Sequence, residues 1–267
     1  MSAPILAPAL APSHVLTDSL TLTRRNLRHA LRYPAMTTVV VGMPVLMLLV
    51  FTYAFGGALG EGIGTRGAYI EYVAPGIFLM AAASGAVATA VGLCMDMTEG
   101  IVNRFRTLRI SRASIIAGHV LGTTLQTLVS IALVIAVAVA VGFRPDATPV
   151  EWLAAAGLLA FVALALSWVG AAMGLVARTP ESASNGPLPL QFLPFLGSAV
   201  VPADSMPAAT RWFAEHQPFT PVIETLRGLL TGTAIGTDGA VALAWCAGLT
   251  VVGLLWARVA FARAAAR

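Results

Sequence analysis

The sequence contains no lysine, and all 16 of its basic residues are arginines. A Walker A loop needs a lysine to reach the phosphates of its nucleotide, and Schiff-base catalysis needs a lysine amine. Both kinds of chemistry are therefore excluded for this chain acting alone. If ATP drives its function, another chain must bind the ATP.

Charged residues are also scarce: they make up 10% of the 267 residues, whereas 58% are hydrophobic and the mean hydropathy is +0.84. A soluble domain is about 25% charged and about 45–50% apolar. We therefore predict an all-α membrane protein with several spans in one domain. The pI near 9.7 does not indicate a nucleic-acid partner, because the arginines lie at the ends of apolar segments rather than on one soluble face.

Residue types that carry catalysis or bind metals are few and scattered. Cys94 and Cys246 lie in separate apolar runs and are predicted to be small buried hydrophobic residues. The four histidines show no metal-ligand spacing, and no protease motif such as His-Glu-x-x-His is present. We predict no catalytic residue, no metal site and no cofactor in this chain, which is thus not an enzyme by itself.

Apolar and charged segments divide the chain into four predicted regions. Residues 1–15 form a disordered cytoplasmic tail, 16–34 an amphipathic helix, 35–261 a six-span membrane domain, and 262–267 a second cytoplasmic tail. The helix at 16–34 carries a leucine stripe beside an arc of arginines, a pattern typical of helices in the membrane interface. The arginines expected to contact lipid headgroups are Arg24, Arg25, Arg28 and Arg32.

The six predicted spans cover residues 35–55, 72–95, 115–141, 152–176, 186–201 and 239–257. The fifth span is short and interrupted by three prolines. Two short helical patterns follow it, one from Pro207 to about residue 217 and one from Pro221 to about residue 230. For the second, Thr220 is the predicted N-cap and Gly232 the C-terminal stop. An interrupted span followed by two half-helices indicates a re-entrant hairpin between spans five and six.

The arginine distribution predicts the orientation of these spans. With six spans both termini lie on one side, and 12 of the 16 arginines fall on that side. Cytoplasmic segments of membrane proteins are enriched in basic residues. We predict that both termini are cytoplasmic, that the hairpin is external, and that the protein lies in a bacterial inner membrane. The bacterial source is inferred from the lysine-free, alanine- and arginine-rich composition.

A charged stretch, residues 96–112, separates spans two and three and carries six charges in seventeen residues. Such a cluster is too costly to place in hydrocarbon, so we predict a loop in water on the cytoplasmic side. Ile101, Phe105 and Leu108 recur at helical spacing, which favours a short amphipathic helix. This pattern alone fits either an ordinary basic loop or a helix that docks a cytosolic partner.

All twelve acidic residues are predicted to lie in loops or in the hairpin, which disfavours ion coupling because that chemistry usually needs carboxylates within the membrane. An ion-coupled secondary transporter or channel nevertheless stays the alternative function. Glu224 is the nearest to an exception. It lies three residues before Arg227, so it is either a locally paired carboxylate or a group at an outer gate.

Three stretches resemble the ABC-2-type permeases, especially the daunorubicin-resistance subfamily of drug exporters: Glu99 through Arg112, Pro202 through Pro221 with Arg227-Gly-Leu-Leu beyond, and Tyr72-Val-Ala-Pro75-Gly76. The resemblance implies the permease subunit of an exporter of amphipathic or lipidic compounds, such as drugs, lipids or glycolipids. It also implies cytosolic ATPase subunits that bind ATP and Mg, and a second copy of the chain or a homologous permease.

The resemblance further implies roles for individual residues. The helix in 96–112 would be a coupling helix, and the residues expected to contact the ATPase are Glu99, Arg104, Phe105, Arg106 and Arg109. The family commonly has proline where this chain has Arg109. The cargo path is expected between spans two and five beneath the hairpin, with Phe78, Phe192, Phe195 and Glu224 as its candidate residues.

Overall fold

The computed structural model describes residues 34–57, 66–98 and 112–265. Within these ranges all regular structure is helical, which confirms the all-α prediction. The helices are α1 Pro34–Leu49, α2 Arg66–Thr98, α3 Arg112–Val141, α4 Pro149–Val176, α5 Pro180–Asn185, α6 Leu188–Phe192, α7 Ala208–His216, α8 Phe219–Thr231 and α9 Asp238–Ala265. A π-helical turn, Val50–Phe55, extends α1, and two short 3₁₀ turns cover Leu193–Leu196 and Ala203–Ser205.

Four helices in the described ranges are long and apolar enough to cross a membrane: Tyr69–Thr98, Ile116–Val141, Pro149–Val176 and Asp238–Arg263. They correspond to the predicted spans two, three, four and six. Helix α1 with its π-helical turn covers the predicted first span. Its apolar part, Val41–Phe55, is shorter than the four spanning helices. The predicted fifth span holds only α6 and a 3₁₀ turn, far short of the ~20 helical residues that cross a bilayer. The count of six spans stays a prediction.

Helix α2 is the central element of the bundle, and it defines two ends. The hairpin end, named after the predicted hairpin, is where α2 begins beside α8. The loop end is where α2 stops and α3 begins. At the hairpin end, Phe78 and Phe143 are fully buried with Ile223 of α8. A separate buried cluster at the loop end includes Leu93 of α2 and Phe261 of α9.

Close helix packing depends on small residues at the contact between α2 and α4. A Cβ atom added at Gly170 or Gly174 would collide with the main chain of α2 at Ala86 and Ala90. The four-residue spacing on both helices brings the same faces together on successive turns. Gly253 of α9 lies equally close to the main chain of α4. The backbone of α4 is therefore in direct contact with the backbones of α2 and α9.

Large apolar side chains cover the outer faces of α3 and α9. On α3, Leu121, Leu125, Val129 and Leu133 recur every four residues and are each 44–57% exposed. Exposed apolar surface of this extent is unfavourable in water and indicates contact with lipid or another protein. The same holds for α9, where the exposed residues include Trp245, Val252, Leu255, Trp256 and Val259.

The two short helices predicted after the fifth span are present, with one correction at a helix start. Helix α8 ends at Gly232, which has a φ of 72° in the left-handed region, as the predicted stop requires. The prediction of Thr220 as the N-cap was wrong, because α8 begins at Phe219 after Pro218. The hydroxyl of Thr220 instead accepts a hydrogen bond from Nε2 of Gln217 at 3.1 Å.

The predicted boundary of the charged loop was also wrong at its first residues. Helix α2 continues to Thr98, so Asp96 belongs to the helix and not to a loop in water. Its side chain is only 14% exposed and lies 2.8 Å from His119 of α3. A partner on a neighbouring helix offsets the desolvation of the carboxylate, and the sequence pattern alone contains no sign of that partner.

Candidate functional site at the hairpin end

The predicted ATPase contacts and the predicted interfacial arginines lie outside the described residues. The roles of these nine residues stay predictions: Glu99, Arg104, Phe105, Arg106, Arg109, Arg24, Arg25, Arg28 and Arg32. The predicted tail at 1–15 is likewise outside the described ranges. The residues predicted for the cargo path, by contrast, are all described.

The three predicted phenylalanines do not share one surface. Phe78 is fully buried on α2 and meets Phe143 edge to face, with ring centroids 5.8 Å apart. Phe192 on α6 is 49% exposed. Phe195, in the following 3₁₀ turn, stacks on Phe51 with centroids 5.7 Å apart. Phe78 thus belongs to the core of the subunit, whereas Phe192 is at its surface.

An aromatic cluster that was not predicted from the sequence joins the π-helical turn to residues 186–201, which we call the interrupted segment. Phe51 contacts both Phe55, at 5.6 Å between centroids, and Phe195. Tyr53 in the same turn is 57% exposed. A π-helical turn inside a helix often accompanies a functional site. The four-residue spacing of Phe51 and Phe55 was visible in the sequence, but their contact with Phe195 was not.

Glu224, the fourth predicted path residue, is held by Arg227 one turn later on α8. Nη1 of Arg227 donates to both carboxylate oxygens of Glu224 at 2.6 Å. The Glu224 side chain is 34% exposed, and the Arg227 side chain is only 12% exposed. The local pairing expected from the i, i+3 spacing is therefore present, with the arginine as the more deeply buried partner.

Arg227 also contacts two other parts of the chain. Its Nη2 donates to the main-chain oxygens of Ser198, at 2.8 Å, and Tyr72, at 3.1 Å. The guanidinium carbon lies 3.8 Å from the centre of the Tyr72 ring, a cation–π contact. We call Arg227 with Glu224, Tyr72 and Ser198 the arginine junction. It connects α8, the start of α2 and the interrupted segment through one side chain.

The local sequence explains why these parts can meet at one guanidinium. Ser198 follows the 3₁₀ turn in a non-helical stretch, so its carbonyl is free of helical hydrogen bonding and can accept from a side chain. Gly76 allows this stretch to lie directly on α2, because a Cβ atom there would collide with Ala199. Arg227 projects from α8 into the resulting space.

A buried guanidinium is a costly group unless its donors are satisfied. The two hydrogen bonds to Glu224 satisfy Nη1, and the two to main-chain oxygens satisfy Nη2. Nε of Arg227 is buried without a partner in the described part of the chain. The junction therefore holds three segments in one arrangement through charge-assisted hydrogen bonds. Separating the segments would leave Nη2 without its two main-chain acceptors, whereas Glu224 stays beside Arg227 on α8. In the described ranges, no cluster of histidine, cysteine and acidic side chains could hold a metal ion.

Comparison with known proteins extends these observations. The sequence profile of the family described as "ABC-2 type transporter" matches residues 17–231. The chain is 30% identical over 251 residues to the daunorubicin resistance ABC transporter permease protein DrrB1 of Streptomyces coeruleorubidus, an alignment that covers 93% of this chain and 88% of that protein. It is 24% identical over 222 residues to the probable doxorubicin resistance ABC transporter permease protein DrrC of Mycobacterium tuberculosis, covering 83% and 80% of the two chains. The family match includes every residue of the arginine junction.

Proposed function

Since the chain belongs to the ABC-2 type transporter family, we propose that it is the membrane subunit of an exporter that moves amphipathic compounds with energy from ATP. The observation that carries the proposal is the similarity to DrrB1 over 93% of this chain, since the name of that protein connects it with daunorubicin resistance. Amphipathic drugs are therefore the first cargo to test. A lipid or glycolipid is the second.

A separate cytosolic ATPase would supply the energy. The absence of lysine from the sequence supports this division, because a Walker A loop needs one. We propose that the ATPase binds ATP and Mg and contacts the segment that connects α2 and α3. Its contacts would be Glu99, Arg104, Phe105, Arg106 and Arg109.

The proposed orientation has six spans with both termini in the cytoplasm. Helix α1 with its π-helical turn would be the first span and the interrupted segment 186–201 the fifth. The excess of arginines on the side of the termini supports this orientation. A second copy of the chain, or a homologous permease, would complete the membrane domain. The arginines of the helix at 16–34 would contact lipid headgroups.

We assign the arginine junction to the outer closure of the path. Its three segments would have to separate before cargo leaves, and the contacts of Arg227 with Tyr72 and Ser198 oppose that separation. The exposed ring of Phe192 and the neighbouring ring of Phe195 would contact cargo on its way. Glu224 is then a gate residue through its hold on Arg227, and Phe78 supports the gate from the core.

The test is purification of the tagged chain from its native membrane in mild detergent, followed by identification of what accompanies it. We expect a P-loop ATPase in stoichiometric amount. The complex is then reconstituted into vesicles, where ATP-dependent movement of daunorubicin is measured with and without vanadate. A variant of the ATPase that lacks its Walker A lysine provides the matched control.

The two readouts separate the parts of the proposal. Purification without any ATPase, under conditions that preserve other ABC complexes, would refute the permease function and favour an ion-coupled carrier or channel. An ATPase complex that hydrolyses ATP but leaves daunorubicin in place would refute the drug cargo alone. In that case labelled phospholipid and glycolipid replace daunorubicin in the same vesicles.

A further inference from the structure

A second buried pair lies at the opposite end of the bundle from the arginine junction. Nε2 of His119 and Oδ2 of Asp96 are 2.8 Å apart, and the two side chains are 10% and 14% exposed. Asp96 is in the last turn of α2, two residues before that helix ends at Thr98. His119 is two turns into α3, which begins at Arg112. With its proton on Nε2, the imidazole donates to the carboxylate.

The surroundings of the pair fix its position. Gly92, one turn before Asp96, faces the imidazole, and a Cβ atom added there would lie 3.8 Å from Nδ1 of His119. The edge of the histidine ring with Nδ1 and Cε1 thus lies next to a glycine of α2. Neighbouring residues on the same two helices, Leu93 and Val120, are fully buried in the loop-end cluster. The pair is therefore held between two well-packed helices and is not a surface contact.

A stabilising role alone is a weak explanation for such a pair. The cost of removing two polar groups from water roughly offsets their attraction, so an apolar pair of equal size often stabilises a protein as well or better. In some proteins, what a buried polar pair adds is a requirement for one register and one distance. In this chain the pair would fix the register and the distance between the end of α2 and the start of α3. Residues 99–111 connect these two helices.

We propose that Asp96 and His119 form a clasp that holds the end of α2 to the start of α3, so that both helices move together when the connecting segment is displaced. The clasp residues are positioning residues: they contact neither ATP nor cargo. Their effect on transport rests on the proposed function, since it requires an ATPase that acts on residues 99–111. Their effect on the distance between α2 and α3 is independent of the proposed function.

The first experiment measures that distance directly. Spin labels are placed at Thr98→Cys and Arg112→Cys in the full chain, whose native cysteines are both buried, and the distance distribution is recorded in lipid nanodiscs. We expect one narrow distribution in the parent protein and a clearly broader one in His119→Ala. The exchanged pair, Asp96→His with His119→Asp, should restore the narrow distribution because it restores the contact.

The second experiment measures transport in the complete complex with its ATPase. The ratio of daunorubicin moved to ATP hydrolysed should fall about fivefold or more in His119→Ala. A factor of about five is the lower end of the coupling usually measured between distant sites. The exchanged pair should recover most of this ratio. Thr124→Val is the control and should leave the ratio unchanged. It removes two other buried polar contacts of α3, the 2.7 Å hydrogen bond to the carbonyl of Val120 and the 3.5 Å contact with Ser167 of α4.

The outcomes distinguish the clasp from the function on which it rests. An unchanged distance distribution in His119→Ala would overturn the clasp, whatever the complex transports. A broad distribution that the exchanged pair does not narrow would also overturn it, because the pair would then act only through packing. A restored distance without any ATP-driven transport in the parent complex would support the clasp as a structural contact and refute the proposed function.

Discussion

Replacing Arg227 with alanine tests whether one side chain holds the hairpin end together. The substitution removes the two hydrogen bonds to the main-chain oxygens of Tyr72 and Ser198, the pairing with Glu224, and the cation–π contact. The three segments then meet only through apolar packing. Because the Arg227 side chain is 12% exposed, water does not replace these contacts without local opening.

The expected loss follows from the burial of each partner. Removing one member of a buried charged pair costs about 3–5 kcal/mol. Glu224 is 34% exposed and can recover water, so we expect the lower value, about 3 kcal/mol. Glu224→Gln keeps a neutral acceptor but removes the charge that faces the buried guanidinium, and should cost about 2 kcal/mol, as for a hydrogen bond to a charged group. Arg227→Ala should cost more than Glu224→Gln because only the first substitution removes the hydrogen bonds of Arg227 to the main chain.

The assay is reversible unfolding of the purified chain in mixed detergent micelles, followed by tryptophan fluorescence. Arg211→Ala is the matched control. Arg211 belongs to the neighbouring helix α7 and pairs with Asp204 and Glu215 at 3.0 and 2.7 Å, but its side chain is 45% exposed. Exposed pairs contribute little to stability, so this variant should unfold like the parent protein.

Two results would refute the reasoning about the junction. Equal losses for Arg227→Ala and Arg211→Ala would mean that burial does not set the strength of these contacts. A larger loss for Glu224→Gln than for Arg227→Ala would mean that the carboxylate, and not the guanidinium, connects the segments. If the junction also closes the outer path, Arg227→Lys should leak daunorubicin across vesicles without ATP, whereas Arg211→Lys should not.

Three further predictions concern other parts of the chain. Gly170→Ala should destabilise the protein by up to about 3 kcal/mol through collision with the main chain of α2. Gly157→Ala on the same helix meets nothing within 4 Å and should raise the melting temperature. Equal shifts of the melting temperature in the two variants would contradict the packing of α4 on α2. Phe105→Ala with Arg106→Ala should reduce the amount of ATPase that purifies with the chain, and unchanged recovery would remove them from the interface. Asp204→Cys should react with an impermeant thiol reagent from outside the cell, and reaction only from inside would reverse the predicted orientation.

The sequence predicted well those structural features that depend only on residues close together in the chain. Helix α7 was expected from Pro207 to about residue 217 and spans Ala208–His216. Gly232 ends α8 in the left-handed region because only the local backbone decides this. Apolar runs long enough to cross a membrane were recognised for the same reason, since hydropathy and length are properties of one segment.

Features that depend on contacts between distant segments could not be predicted. Asp96 was assigned to water because charges surround it in sequence, and its partner His119 lies 23 residues away. Arg227 was recognised as a partner of Glu224 at i, i+3, but its bond to Ser198, 29 residues away, and its bond to Tyr72, 155 residues away, are tertiary. Phe78 was predicted to face cargo, yet it is fully buried, since the side of a uniformly apolar helix that faces the core cannot be read from its sequence.

The main-chain contacts among α2, α4 and α9 limit the ways in which the bundle can change shape. Sliding α4 by one helical turn along α2 would bring the Cβ atom of Leu166 to the place of Gly170, against the carbonyl of Ala86. Helices in such contact do not slip by small steps, because packed interiors resist continuous deformation. These three helices therefore move as one body, which the proposed clasp extends to α3, and the relative motion that opens a path must occur at α1, α8 and the interrupted segment.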